Sequence, residues 1–235
     1  STKQVKKKSS QYQQRTKGRS NPNIISKTFE VNGVTFDMIL VEGGSFMMGS
    51  DKKSDNPFLD GYPSHPETVT DFFIGKFVVT EKLWDAVLGQ TDNSRGGRGL
   101  NYPIECSWQG AMAFVNKLNE ITGQEFRLPS EKEWEFAAKG GNYSNYYIYS
   151  GSNSLNEVGW KGGDDYHPVG LKKANELGLF DMSGNIFEWV DDKVGSGSRV
   201  MKGGAWNFYS DYCKPSSRYS WGENGIYYVG LRLAM

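Results

Sequence analysis

From Phe29 the chain reads FEVNGVTFDMILVEGGSFMMGS, a run in which apolar and polar positions alternate before Gly43-Gly44. The alternation predicts strands, with a hairpin turning at that glycine pair. SDNPFLDGYPSHPE follows as a turn-rich loop, and TVTDFFIGKFVV reads as one or two more strands. The period then changes. Leu83, Trp84, Val87 and Leu88 share one face of EKLWDAVLG, with Thr80 as N-cap and Gly89 as stop. After a Gly-rich loop, QTDNSRGGRGLNYP, the residues Trp108, Ala111, Val115 and Leu118 recur at helical spacing between Ser107 and Gly123. A third helix opens in LPSEKEWEFAAKGG, where Ser130 and Glu133 have capping-box spacing and each side chain can satisfy an exposed backbone N–H.

Beyond Gly140-Gly141 helical periodicity stops. Residues 142–198 are rich in Gly, Asn, Ser, Asp and Tyr, and so much irregular chain needs side-chain hydrogen bonds or ions to satisfy its backbone. Strand-like text returns in RVMKGGAW and YYVGLRLA, and no repeat of fixed period appears. Few helices, short strands and long ordered loops predict one α+β domain over residues 29–235, preceded by a tail at 1–28.

Composition changes this picture at the tail. Formal net charge is zero, yet residues 1–29 carry eight Lys or Arg and no acid, which leaves 19 basic and 27 acidic side chains in the rest. The tail lacks apolar periodicity and reads as a solvated tether. No second basic patch supports nucleic-acid recognition, and no run of about 20 apolar residues is present to cross a bilayer.

Candidate chemistry is sparse. Cys106 and Cys213 lie 107 positions apart, so no CxxC metal or redox pair exists, and a single disulfide between them stays open. His65 and His167 are the only histidines, too few for a three-histidine iron site. No GxSxG elbow is present, and GGRG at 96–99 lacks the Lys and the strand–helix context of a phosphate loop. In NELGLFDMSGNIFEWVDD, Asp181, Gly184, Ile186 and Glu188 offer two carboxylates and two carbonyls, an all-oxygen set of the kind calcium takes. The plain alternative there is a Gly turn and a short strand with solvated acids.

VEGGSFMMGS, FFIGKFVVTEKLW, CSWQGAMAFVNKLN, FRLPSEKEWEFAAKGG, HPVGLKKANELGLFDMSGNIFEW, RVMKGGAW and VGLRL follow in the order of the landmarks of a known domain. The chain resembles the formylglycine-generating-enzyme (sulfatase-modifying factor) family over residues 29–235. The resemblance implies a C-type-lectin-like α+β fold with abundant irregular structure. It also implies calcium at Asp181, Gly184, Ile186 and Glu188. The enzymes of that family use two cysteines just after the GG-S-aromatic motif. That place reads Asn207-Phe208-Tyr209-Ser210-Asp211-Tyr212 here, so neither copper-dependent oxidation nor the three-histidine iron chemistry of relatives is expected.

A non-enzymatic branch of the fold comprises the variable proteins of diversity-generating retroelements, and RVMKGGAW, CKPSSR and VGLRL are similar to their invariant frame. Adenine mutagenesis of AAY codons yields Asn, Asp, Ser, Tyr, Phe, Ile and Gly among others, but never Trp or Glu. Asn207 to Tyr212, and then Tyr219, Ser220, Gly222, Asn224, Gly225, Ile226, Tyr227 and Tyr228, are all permitted products, whereas Trp221 and Glu223 are not. Seven of the 22 residues from Asn207 to Tyr228 are aromatic, mixed with Ser, Gly and Asn, the composition of an antibody paratope. The branch implies a monomeric, non-catalytic binder of a protein or cell-surface ligand. Its variable segment would span 199–235, with 1–28 as tether to a lipoprotein anchor outside this chain. The alternatives are a divergent enzyme working through Cys213 or acids, and a module with one fixed partner.

Overall fold

A computed structural model describes residues 23–51, 63–89, 99–163, 165–225 and 227–235. The tail at 1–22, the centre of the turn-rich loop at 52–62 and the Gly-rich stretch at 90–98 lie outside the described residues.

Strands β1 (Ser26–Val31) and β2 (Val34–Val41) form an antiparallel hairpin, and β5 (Phe72–Gly75) pairs with the far edge of β2. The turn is Asn32-Gly33, with φ of 46° and 78°, the left-handed pair that a two-residue hairpin requires. This corrects the hairpin expected at Gly43-Gly44. Those glycines instead carry the chain out of the first sheet into β3 (Gly44–Met48), which pairs with β4 (His65–Val69). The start of the domain shifts as well, because Ser26–Thr28, read as tail, are paired in β1.

Three helices occupy the expected places. Thr80 caps α1 (Glu81–Leu88) and Ser107 caps α2 (Trp108–Thr122), each accepting a first-turn N–H, and both helices end on a left-handed glycine. The third, α3 (Glu131–Ala138), opens with the complete Ser130–Glu133 capping box. One further turn, α4 (Leu155–Val158), interrupts the irregular region. A second sheet follows, ordered β8 (Tyr219–Gly222), β7 (Ser198–Lys202), β6 (Phe187–Val194), β9 (Val229–Leu231), with β6 and β9 parallel.

One core joins the first sheet to the second through α1 and α2, with Trp84, Phe114, Phe126, Phe187, Trp189 and Leu231 in one buried cluster. Trp134 and Phe136 of α3 pack with Ile39, Val41, Val190 and Val200 in another. The last residues run back along the first sheet: Phe73 and Met235 exchange backbone hydrogen bonds, and Gly75 N–H donates to the Leu233 carbonyl. The C-terminal segment is therefore fastened at both ends, by β7 and by β9.

Candidate functional site

The chain leaves β7 through Gly203-Gly204, both left-handed, and a Cβ on Gly204 would stand 2.7 Å from Cys213 Sγ. Only glycine lets the segment fold back this closely. Ser210–Cys213 then makes a single 3-10 turn before β8 returns to the sheet.

This path sorts the aromatic residues into two layers. Beneath lie Phe208, Tyr212 and Tyr219, whose ring centroids stand 4.9, 6.3 and 6.0 Å from that of buried Phe187. Tyr228 is half-buried against Trp206 and Phe208. Above them Tyr209 is 79% exposed, Tyr227 66% and Trp221 40%. Asn207, Ser220, Gly222 and Asn224 are exposed beside these, and Ser210 and Asp211 are half-buried in the 3-10 turn. Ile226 lies outside the described residues. One expected contact residue is corrected: Tyr212 is only 6% exposed, because Phe208 and Tyr219 cover it, and it supports the surface without reaching it.

The face is electrically quiet. All six charged residues between Arg199 and Tyr228 have an opposite charge within 4.0 Å: Arg199 with Glu223, Lys202 with Glu135, Asp211 with Lys214, and Arg218 with Glu131. Two of these pairs, Lys202–Glu135 and Arg218–Glu131, anchor the segment to the body. Arg199 also lies over the Trp108 ring at 3.6 Å, and the Glu223 carbonyl accepts Trp108 N–H. Lys202 is fully buried. Burial pushes the Glu135 carboxyl up, but Lys202 and Lys139 outweigh this and leave it below the ordinary carboxylate value.

The expected calcium ligands divide. Asp181 is buried; its Oδ2 accepts Gly170 N–H at 2.7 Å, and its Oδ1 has no hydrogen-bond partner. Burial raises its pKa to about 6. A buried carboxylate oxygen without a donor is the feature here that fits a cation. Glu188 is otherwise engaged. Its Oε1 accepts from Arg232, and its Oε2 accepts from both Arg232 and Trp134 Nε1, so an ion there would share it. The Gly184 carbonyl accepts Ile186 N–H. Among the described residues no three His, Cys, Asp or Glu side chains gather as a metal site.

The other reactive groups stand apart. Cys106 and Cys213 are both buried and not joined in a disulfide, and burial pushes the Cys213 thiol up to about 12, far from the thiolate a nucleophile or copper ligand needs. His65 meets Glu67 and the Pro63 carbonyl, while His167 stacks flat on Trp160 at 3.6 Å. A cavity of about 250 Å³ between β2, β5 and the start of α1 takes no lining residue from 199–228.

Arg218 and Arg232 both fasten irregular chain to the body of the domain. Arg218 binds the Glu131 carboxylate, and Arg232 donates to the Gly75, Lys76 and Phe180 carbonyls as well as to Glu188. The sequence does not mark the anchors outside this segment: Trp108, Glu131, Glu135 and Glu105, whose carboxylate accepts the Tyr228 N–H. Glu223 left a signal, since it is no product of an AAY codon; the others left none.

Residues 26–235 match the Sulfatase-modifying factor enzyme 1-like domain. The chain is 32% identical over 233 residues to Chaperone protein LppX of Paenibacillus barcinonensis, an alignment covering 74% of this chain and 79% of that one. It is 26% identical over 243 residues to the Inactive C-alpha-formylglycine-generating enzyme 2 of Bos taurus, covering 74% and 78%. Among solved structures, Treponema denticola variable protein 1 superposes with a TM-score of 0.77 at 27% identity, covering 89% of this chain and 98% of that one. Fold, ordered motifs and these likenesses agree, and the chain belongs to the sulfatase-modifying factor enzyme 1-like family.

Proposed function

We propose that this protein is a non-catalytic, surface-displayed ligand-binding protein whose segment 207–228 forms a diversified contact surface. The observation that carries this reading is the two-layer arrangement. Tyr209, Trp221 and Tyr227 are exposed over a packed aromatic floor, on a face whose charges are internally paired. Large exposed aromatics held rigidly lose little side-chain freedom on contact, which is why such residues dominate binding surfaces. The partner is a protein or cell-surface molecule, and the binder acts as a monomer tethered through its basic tail. Likeness to a variable protein and to an inactive enzyme of the family supports the same reading.

The test is affinity capture from neighbouring-cell surface extracts with the wild-type chain and with a Tyr209→Ala/Trp221→Ala/Tyr227→Ala variant. A partner held by the first and lost by the second is expected; equal capture by both contradicts the assignment of the face. The enzymatic alternative works through Cys213 or acidic residues, and for its thiol form Cys213→Ser is expected to change no turnover activity.

A structural calcium at Asp181, with the carbonyls of Gly184 and Ile186 and a share of Glu188, belongs to the same proposal. Its support is the unpartnered Asp181 Oδ1.

A further inference from the structure

Tyr228 stands at φ 63°, in the left-handed region that a large side chain seldom adopts. Such a conformation persists only where its surroundings impose it. Here the constraint comes from Glu105, which lies outside the C-terminal segment. Glu105 Oε1 accepts the Tyr228 N–H at 2.7 Å and also the Tyr166 hydroxyl. The Tyr166 ring meets Trp206 edge-on at 6.0 Å, and Trp206 meets Tyr228 edge-on at 6.2 Å, so four residues close a ring. The neighbouring backbone is pinned on both sides, by Phe187 N–H on the Tyr228 carbonyl at 2.9 Å and Cys106 N–H on the Val229 carbonyl at 3.0 Å. Directly before this clasp stands Tyr227, 66% exposed.

We infer that Glu105 is a positioning residue for the binding face. Its carboxylate holds Tyr228 in the left-handed conformation, and that turn of the backbone sets Tyr227 outward at the edge of β9. The inference rests on the binding reading for its purpose, though not for its geometry. An amide oxygen at position 105 keeps the acceptor, whereas alanine leaves both donors without it.

The test is amide hydrogen exchange on the full chain, comparing wild type, Glu105→Ala, Glu105→Gln and the double variant Glu105→Ala/Tyr228→Gly. In the wild type the Tyr228 amide is expected to be protected. Glu105→Ala is expected to speed its exchange by about tenfold or more while β6 and β7 amides keep their rates. Glu105→Gln restores most of the protection. In the double variant glycine takes the left-handed angle without strain, and slow exchange returns to β9. Unchanged exchange at Tyr228 in Glu105→Ala overturns the inference. So does an unprotected Tyr228 amide in the wild type, a measurement that needs no variant to fold. Exchange is read without any ligand, so its failure is separate from failure of the binding reading.

Discussion

Arg232 grips Glu188 with two parallel hydrogen bonds, Nη2 to Oε1 at 2.7 Å and Nε to Oε2 at 2.8 Å, with neither side chain exposed to solvent. The remaining donors of the same guanidinium reach the carbonyls of Gly75, Lys76 and Phe180. One side chain thus ties the end of β5 and the irregular loop before β6 to the end of β9. A planar fork of five donors can do this, and a lysine cannot.

Removing one partner of this pair strands a buried charge. Arg232→Met is expected to destabilise the domain by about 3–5 kcal/mol, read as a lower urea midpoint. An unchanged midpoint would show that the pair does not hold these loops.

The two aromatic layers predict opposite mutational signatures. Tyr212→Ala empties a site beside Phe187 and Phe208, and is expected to cost about 3–5 kcal/mol. Tyr209→Ala removes an exposed ring and is expected to shift stability by less than about 0.5 kcal/mol while weakening capture of a partner. Thermal melts of the two variants check the first contrast, and the capture assay checks the second.

Calcium bound only by the folded protein stabilises it by mass action. Adding calcium to the chelated protein is therefore expected to raise the melting temperature, and Asp181→Ala to abolish the rise. An identical melting curve with and without the ion removes calcium from the account.

His167 gives the fold a sensitivity to acid. Its pKa is lowered, first by burial and then by Lys172, which lies over the Trp160 ring at 3.9 Å. The folded state therefore favours neutral imidazole more than the unfolded chain does. That contribution is present above the unfolded value of about 6.5 and is lost as pH falls through the folded one. His167→Phe keeps a ring on Trp160 and takes no proton. Melts at about pH 5 and about pH 7.5 are expected to show a smaller acid loss for this variant than for wild type.

Much of the fold was legible because local chemistry dictates it. Thr80, Ser107 and Ser130 announce their helices through side chains that must meet first-turn N–H groups, and Gly89 and Gly123 end two of them by adopting left-handed angles. The hairpin was misplaced because alternation continues through Asn32-Gly33, where the pair that turns the chain sits inside the strand-like text. The 207–228 segment was legible as composition but not as geometry. Phe208 and Tyr209 are adjacent, of similar size and equally permitted by the codon argument, yet one packs on Phe187 and the other meets solvent. Only the Gly203-Gly204 turn and the 3-10 turn decide which, and neither imposes a periodic pattern. Anchors such as Glu131 and Glu105 are distant in sequence from the residues they hold, by 87 and 123 positions, so nothing local marks them.

Whether residues 207–228 form a contact surface that varies on a fixed frame is read from the sequence of the gene region encoding 199–235 in independent isolates. The account predicts substitutions concentrated at the exposed positions Asn207, Tyr209, Ser220, Asn224 and Tyr227, with Arg199, Arg218, Trp221, Glu223 and Arg232 unchanged. A segment identical in every isolate, or changes falling on the paired charges as often as on the exposed face, would contradict it.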